Sequence, residues 1–265
     1  MYEQRCIAFI DILGFGTLIE ESAGNINLQK MIYDALDSLH SQRINDELYS
    51  RVNEELIPPE ELVNVREIAA IFNQQLKLAH PVLVTFFSDS LVLSAKVEDV
   101  IASQLVLDIV AKLSLRLWQD HNLLIRGGIT IGKLLHKENG PLFGPAMNRA
   151  YFLESEKAIN PRILIDKVCF EHYLRVETFE PLKSLINSEG EFHYMSLATA
   201  FRHTINDSTE ALAGDKVLAR HRLSLASTVE QLLRIEKNQS DGKIKSKYIW
   251  LIQEIEKMAP EIGAS

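Results

Sequence analysis

The stretch FFSDSLVL, residues 86–93, places an acid in the middle of an apolar run. The wider segment HPVLVTFFSDSLVLSA, residues 80–95, predicts two short strands broken at Ser88-Asp89-Ser90, which is the pattern of a tight β-hairpin. A carboxylate among apolar side chains costs free energy unless something binds it. The position of Asp89 therefore indicates either a turn residue or a ligand-binding one.

A second acid repeats this oddity near the start of the chain. Residues 5–12, RCIAFIDI, are nearly all apolar and predict a buried strand, and LGFG after them is a turn signal. Asp11 lies inside that strand. If the strand neighbours the hairpin, the carboxylates of Asp11 and Asp89 repel each other.

The remaining apolar periodicities predict an α+β fold with a helical tail. Helices are expected over 27–42, from Pro59 to about 76, over 98–118 and over 146–158, and tail helices over 209–237 and 244–258. Strands are expected over 123–135, 161–166 and 191–198. In the second helix the residues expected to point inward are Leu62, Val65, Ala69, Phe72 and Leu76.

The order of these elements predicts a ferredoxin-like palm over residues 1–200. A C-terminal helical extension over 201–265 is expected to pack on the core or on a dimer partner. In a split βαβ arrangement the first strand pairs with the strand after the helix. Its end then lies beside the hairpin, which places Asp11 next to Asp89.

Two neighbouring aspartates favour a metal site. Divalent cations relieve the repulsion between carboxylates, and paired hard-oxygen ligands suit Mg²⁺ or Mn²⁺. Such pairs are the centre of two-metal phosphoryl chemistry. The alternative is that each aspartate caps its own turn, which is common for a single Asp. For Asp11 and Asp89 together, metal binding is favoured.

Composition limits the class of protein. The chain has 265 residues, 46% of them hydrophobic, with 28 Lys+Arg against 36 Asp+Glu and a net charge of -8. This acidic balance argues against a general nucleic-acid partner, which needs a basic surface. Neither a signal peptide nor a membrane-spanning run is recognised, and Cys6 and Cys169 fit a reducing compartment. We therefore expect a cytoplasmic protein with no membrane partner.

Four segments together resemble a known family. FIDILGF, FFSDSLVL, IRGGITIGKLL and FGPAMNRAYFLES occur in the order and approximate spacing of the class III nucleotidyl cyclase catalytic domain. The resemblance covers residues 5 to about 166. The run AYFLESEKAINPRI, the second Ser of FSDS and the helical tail look more narrowly like the pyrimidine cyclases of Pycsar anti-phage defence systems.

This resemblance implies an activity. It implies conversion of UTP or CTP into the 3′,5′-cyclic monophosphate plus pyrophosphate, by a homodimer with shared active sites and two divalent cations, Mn²⁺ or Mg²⁺. The uridylate cyclase is favoured over the cytidylate cyclase. The product would activate a separate effector during infection.

The resemblance also assigns roles to residues. Asp11 and Asp89 match the two metal-binding aspartates, and the carbonyl of Ile12 matches a further metal contact. Asn148 matches the asparagine that positions the ribose in the site of the partner subunit. The phosphate loop is matched by Leu13, Gly14, Phe15 and Gly16.

Two departures make adenine an unexpected base. Adenylate cyclases carry a lysine where this chain has Thr85 and an aspartate where it has Pro141. A site rejects ligands strongly only when its polar groups are present. Thr85 is therefore expected to contact a different base. Tyr49 could cover that base and exclude purines, or could simply be a surface residue.

A third departure concerns the transition-state arginine, whose expected position holds Phe152. Arg149, next to Asn148, is the proposed replacement, and Arg126 and Arg162 are other candidates. Phe152 also motivates the alternative function, a catalytically inactive cyclase-like nucleotide-binding or regulatory module. A palm-type nucleic-acid enzyme is disfavoured by the acidic charge. In the tail, a solvated helix start is expected for Lys243, Lys245 and Lys247.

Overall fold

The predicted hairpin is present and lies beside the first strand. The computed structural model describes residues 1–39, 58–210 and 215–259. In it β1 (Glu3–Ile12) is followed by β2 (Leu83–Phe87) and β3 (Ser90–Lys96). Phe87 pairs with Ser90 across the turn, where Ser88 adopts a φ of 50°. The backbone therefore turns at the position that the sequence indicated.

The sheet has a ferredoxin-like centre that is extended on one side. The further strands are β4 (Ile125–His136), β5 (Leu142–Phe143), β6 (Arg162–Ile165), β7 (Asn187–Glu189) and β8 (Phe192–Ser196). Over the described residues the order is β2-β3-β1-β4-β6-β8-β7, with β5 paired to β4. The first four strands have the antiparallel 2-3-1-4 order of that fold. β1 pairs with β3, the second hairpin strand, rather than with β2, which directly follows the helix.

Helices cover both faces of this sheet. They are α1 (Phe15–Ser22), α2 (Ile26–Ser38), α3 (Leu62–Ala79), α4 (Val100–His121), α5 (Pro145–Phe152), α6 (Lys167–Tyr173), α7 (Leu197–Glu210), α8 (Asp215–Asn238) and α9 (Gly242–Met258). A π-helical turn follows α5 (Leu153–Lys157), and a 3₁₀ segment follows α6 (Glu177–Leu185). The predicted α+β class and the helical tail are confirmed. The end of the helix predicted over 27–42 lies outside the described residues.

The main core lies between α4 and one face of the sheet. Asp99 caps α4 by accepting a hydrogen bond from the Ala102 amide, and Asn122 ends the helix in the left-handed conformation. Alternate residues of β1 face this helix and are fully buried, among them Ala8 and Ile10. The residues that alternate with these, Ile7 and Phe9, face α5 on the opposite side of the sheet. Because a shift of one residue would exchange the two faces, this packing fixes the register of β1.

The glycine pair of β4 lets α5 approach the sheet closely, as the sequence indicated. A Cβ at Gly128 would collide with the carbonyl of Ala150 on α5, and one at Gly127 would collide with the carbonyl of Phe9. α5 consequently lies directly on Ile7, Phe9 and Val92. This packing places the end of α5, at Ala150, near the end of β1, because Gly128 pairs with Phe9.

The prediction that one face of α3 points inward is wrong. No residue of this helix is buried, and Phe72, expected to point inward, is 61% exposed. Leu62, Val65, Ala69 and Leu76 are only half-buried. The helical spacing identifies a common face, but a spacing does not establish that the face meets a partner.

The tail helices share a second core with the sheet domain. This tail cluster includes Trp118 of α4, Leu124 before β4, Phe201 of α7, Leu232 of α8 and Leu251 of α9. The indole of Trp118 donates a hydrogen bond to the hydroxyl of Thr228 at 3.0 Å. Within the described ranges, no helix has the length and apolarity that crossing a bilayer requires.

Candidate active site

The structure brings Asp11 and Asp89 together at one end of the sheet. Asp11 pairs in register with Ser90, and the Ile12 amide donates to the Asp89 carbonyl at 3.2 Å. The hydroxyl of Ser90 donates to Oδ1 of Asp11 at 3.1 Å. The adjacency expected from the two apolar strands is thus set by backbone pairing.

The environment of Asp11 disfavours its charged form. Its side chain is 16% exposed. Burial and the neighbouring charge of Asp89 raise the pKa of Asp11, and the guanidinium of Arg126 opposes that rise. A cation between the two aspartates would remove this penalty.

A third acid, Glu154, completes the cluster and was missed by the sequence analysis. Glu154 lies in the π-helical turn, is 3% exposed, and has its Oε1 2.7 Å from Nε of Arg126. Nε of Arg126 is also 3.4 Å from Oδ2 of Asp11. Burial raises the pKa of Glu154 to about 7. Its spacing of four residues from the buried Ala150 was the signal that could have revealed it.

The donor set fits divalent cations. Among the described residues no group of three or more His, Cys, Asp or Glu side chains is arranged to hold a metal ion alone. Magnesium in nucleotide enzymes, however, is commonly held by one or two carboxylates together with substrate phosphates. Oε1 of Glu154 is buried, and Nε of Arg126 lies 2.7 Å from it as an ion pair without hydrogen-bond geometry. Arg126 is thus shared between Glu154 and Asp11, and a site with more acids than cations is one that a bound cation would stabilise.

The LGFG segment forms the start of α1. Gly14 has a φ of 78°, which favours glycine, and no side chain caps the helix. The first-turn amides, beginning at Phe15 and Gly16, therefore retain donors that phosphate oxygens can use. The amide of Leu13 donates to the carbonyl of Leu124 at 2.8 Å, and its side chain packs against the tail cluster.

Asn148 and Arg149 are neighbours on α5 but differ in their contacts. Asn148 is exposed. Arg149 donates two hydrogen bonds to Asp166, at 2.8 and 3.0 Å, and Thr130 donates a third at 2.9 Å. Burial opposes the effect, but these bonds lower the pKa of Asp166 overall. Phe152 is 38% exposed, with the Arg149 guanidinium 5.5 Å from its ring centre.

The other arginine candidates occupy contrasting places. Arg162 is 7% exposed, lies 2.6 Å from a carboxylate oxygen of Glu189, and is surrounded by aromatic rings. That enclosure makes it a structural residue. Arg126 is the arginine that contacts the acid cluster.

Thr85 and Tyr49 are the two residues that were predicted to contact the nucleotide base. Thr85 is half-buried on β2, and its hydroxyl lies 2.8 Å from Nε2 of His136. Pro141 is exposed in the loop before β5. Tyr49 lies outside the described residues.

The lysines at the start of α9 are not uniformly solvated, contrary to the prediction. Lys243 is exposed, but Lys245 pairs with Glu236 at 2.9 Å. Lys247 is half-buried, and burial together with the charge of Arg126 lowers its pKa. The tail therefore brings a second cation towards the acid cluster.

Comparisons with known proteins find similarity in structure alone. No family model matches the chain, and no curated protein matches it in sequence. The structure is similar to the adenylyl cyclase CyaB from P. aeruginosa, with a TM-score of 0.41, 16% identity, and coverage of 74% of this chain and 94% of that one.

Two further solved structures show the same level of likeness. A bacterial light-regulated adenylyl cyclase gives a TM-score of 0.39 at 14% identity, covering 76% of this chain and 97% of its own. The catalytic core of a rhodopsin-guanylyl cyclase with converted specificity, in complex with ATPαS, gives 0.40 at 15% identity, covering 74% and 96%. Likeness at this distance identifies no substrate.

Proposed function

We propose that this chain is a pyrimidine nucleotide cyclase that converts UTP or CTP into the 3′,5′-cyclic monophosphate and pyrophosphate. UTP is the favoured substrate. The observation that carries the proposal is the adjacency of Asp11 and Asp89, where burial and the charge of Asp89 raise the pKa of Asp11. Acids in so costly a position fit a cation-binding role better than turn capping.

The chain's own residues would hold the nucleotide in three places. Asp11, Asp89 and the Ile12 carbonyl would hold two divalent cations, Mn²⁺ or Mg²⁺. When bound, these would supply Lewis-acid activation of the ribose 3′-hydroxyl and neutralise the triphosphate. The loop from Leu13 to Gly16 would bind phosphate oxygens through the amides of Gly14, Phe15 and Gly16, since the amide of Leu13 already donates to Leu124. Asn148 would orient the ribose.

The reaction forms one bond and breaks one. The 3′-oxygen attacks the α-phosphorus. The bond from that phosphorus to the oxygen that bridges the α- and β-phosphates breaks, and pyrophosphate leaves. The hydroxyl proton passes to solvent. Negative charge that develops on the leaving group needs a cation. Arg149, on the helix of Asn148, and Arg126, beside Asp11, are the two candidates.

We also propose a homodimer with shared sites. Asn148 is exposed on α5, so it is free to reach a nucleotide bound by a second copy. The cyclic product would act as a second messenger for a separate effector in anti-phage defence. That role follows from the resemblance of the AYFLESEKAINPRI run.

The test is direct. The purified chain is incubated with Mn²⁺ and equal amounts of ATP, GTP, CTP and UTP, and cyclic products are identified by mass. We expect cyclic UMP, or cyclic CMP, together with pyrophosphate. Asp89→Asn should abolish the product, whereas Asp120→Asn, a matched change at an exposed residue of α4, should not. Only cyclic purine products, or activity that survives Asp89→Asn, would contradict the proposal.

One observation favours the inactive module instead. Phe152 occupies the position of the expected arginine, and Arg149 is already paired with Asp166. A chain of this class would bind nucleotide without turnover. Two results together would identify it: calorimetric titration shows that UTP binds, and the incubation yields no cyclic product.

A further inference from the structure

Glu154 is a buried acid beside the candidate active site that the proposed function does not use. It is 3% exposed and lies in the π-helical turn Leu153–Lys157, where the amide of Ala158 donates to the carbonyl of Leu153 at 2.8 Å. A carboxylate buried to this extent costs free energy unless it is paired. π-helical turns are frequent at functional sites. Packing alone therefore does not explain a carboxylate in this position.

Strand β4 fixes the place of this turn relative to Arg126. Gly128 and Arg126 are two residues apart and share a face of the strand. A Cβ at Gly128 would lie 2.5 Å from the Cβ of Leu153, so a glycine is needed for Leu153 to pack there. Leu153 also belongs to a buried cluster with Leu164 of β6. Glu154, the next residue of the turn, is consequently brought to Arg126.

Glu154 and Asp11 both engage the same nitrogen of Arg126. Oε1 of Glu154 lies 2.7 Å from Nε of Arg126, and this Nε donates a hydrogen bond to Oδ2 of Asp11 at 3.4 Å. A guanidinium has five N–H donors, of which only one is on Nε. Neither Nη atom of Arg126 donates a hydrogen bond to the part of the chain that the structure describes, and the side chain is 28% exposed. Arg126 can therefore offer its two terminal amino groups to the oxygens of a phosphate group.

Arg149, the other candidate cation, already uses one edge of its guanidinium. Its Nε and one of its Nη atoms donate to the two carboxylate oxygens of Asp166, at 2.8 and 3.0 Å. To bind a phosphate through that edge, Arg149 would have to leave Asp166, which would lose a bidentate partner. Arg126 requires no such exchange, because its partners engage Nε and its terminal amino groups remain available.

We propose that Glu154 is a positioning residue, which holds Arg126 so that its terminal amino groups bind the α-phosphate and the leaving pyrophosphate. The negative charge that develops there during bond cleavage is then met by a cation that is already in place. An arginine without this partner would have to be ordered at that moment, at a cost in side-chain entropy. This role rests on the cyclase function proposed above, and it makes Arg126 rather than Arg149 the transition-state cation.

Steady-state kinetics of the full chain test this role, with Mn²⁺ and the nucleotide that gives cyclic product. Glu154→Gln keeps the size of the side chain and removes its charge. We expect kcat to fall about 10- to 100-fold, with a smaller change in KM, because Arg126 is no longer held against the transition state. Glu156→Gln, at an exposed residue of the same turn, is the matched control and should keep both constants. Thermal unfolding of each variant verifies that it is folded.

A double variant distinguishes the positioning role from a merely structural one. If Glu154 acts through Arg126, adding Glu154→Gln to Arg126→Met should lower kcat no further, because the group that Glu154 positions is already gone. A structural role would lower kcat by the same factor in both backgrounds. That additive result would overturn the positioning role.

A direct contact between Glu154 and the metal is the competing role. If Asp11 and Asp89 hold the cations and Glu154 holds Arg126, Mn²⁺ alone should raise the thermal unfolding midpoint of Glu154→Gln as much as that of the unmodified chain. If the substitution abolishes the stabilisation by Mn²⁺, Glu154 is a metal ligand and the positioning role is overturned.

The outcomes separate the positioning role from the proposed function. If the unmodified chain makes cyclic product and Glu154→Gln keeps its kcat, the positioning role is overturned and the cyclase stands. If no cyclic product forms, the cyclase is overturned, and calorimetric titration with pyrophosphate and Mn²⁺ tests the role alone. Weaker pyrophosphate binding by both Glu154→Gln and Arg126→Met, with no further loss in the double variant, supports the role, and equal affinities overturn it.

Discussion

The amide of Ile12 donates a hydrogen bond to the carbonyl of Asp89 at 3.2 Å, so the backbone segments that carry the two acids are bonded to each other. Asp11 and Asp89 therefore cannot separate to relieve their repulsion without breaking the backbone pairing at this end of β1 and β3. Proteins retain such destabilising contacts mainly at functional sites.

The first prediction follows from that repulsion. Asp89→Asn should raise the free energy of unfolding in metal-free buffer by about 0.5 kcal/mol, because Asp11 then ionises more easily. It should also lower cyclase activity at least about 100-fold, because the cation pair loses a ligand. Unfolding measured with and without Mn²⁺ gives a second readout. Mn²⁺ should stabilise the unmodified chain and leave Asp89→Asn unchanged. An equal Mn²⁺ effect on both would contradict the metal assignment.

A pair of substitutions should identify the cation that offsets the charge of the leaving group. Removing one group that stabilises a transition state costs roughly 100- to 1,000-fold in rate. If Arg126 has this role, Arg126→Met should show that loss, and Arg149→Met should lower stability with a smaller effect on rate. The reverse pattern would assign the role to Arg149. Asp166→Asn is the control, since it breaks the Arg149 pair while keeping the arginine.

The sequence predicted the backbone neighbours of the site better than its side-chain contacts. Apolar runs marked β1 and the hairpin, and their adjacency brought Asp11 to Asp89. The contacts of Glu154 with Arg126, of Arg149 with Asp166, and of His136 with Thr85 each join elements that are distant in the chain. No local spacing encodes such pairs. Phe72 shows a second limit of the sequence. The periodicity around it correctly predicted a helix, but the prediction that Phe72 is buried was wrong.

A third prediction concerns acid stability and His136. Its pKa of about 4 in the folded chain lies below its ordinary value of 6.5. As the pH falls from 6.5 to 4, the unfolded chain binds a proton that the folded chain does not, so stability falls, by about 3 kcal/mol over the window. Chemical unfolding at several pH values should show this contribution as a difference in slope between the unmodified chain and a variant without His136.

The variant His136→Asn should lack this part of the slope, whatever its stability at pH 7. Glu154 contributes in the opposite sense, since its raised pKa makes stability fall as the pH rises from 4.5 to about 7. The difference between the two chains therefore isolates His136. Identical slopes in the unmodified chain and in His136→Asn would contradict the burial of a neutral ring.

The last prediction concerns the tail, which we expect to fold cooperatively with the sheet domain. Leu251 of α9 is fully buried in the tail cluster with Trp118 and Leu124. Leu251→Ala should cost about 2–5 kcal/mol, as for other large-to-small changes in a core. Leu223→Ala, at a residue of α8 that is 70% exposed, is the matched control and should cost far less.

Because Leu13 of the phosphate loop packs on the same cluster, Leu251→Ala should also weaken nucleotide binding, measured by calorimetry below the unfolding temperature. Two separate unfolding transitions, with the first alone shifted by Leu251→Ala, would instead make the tail an independent unit.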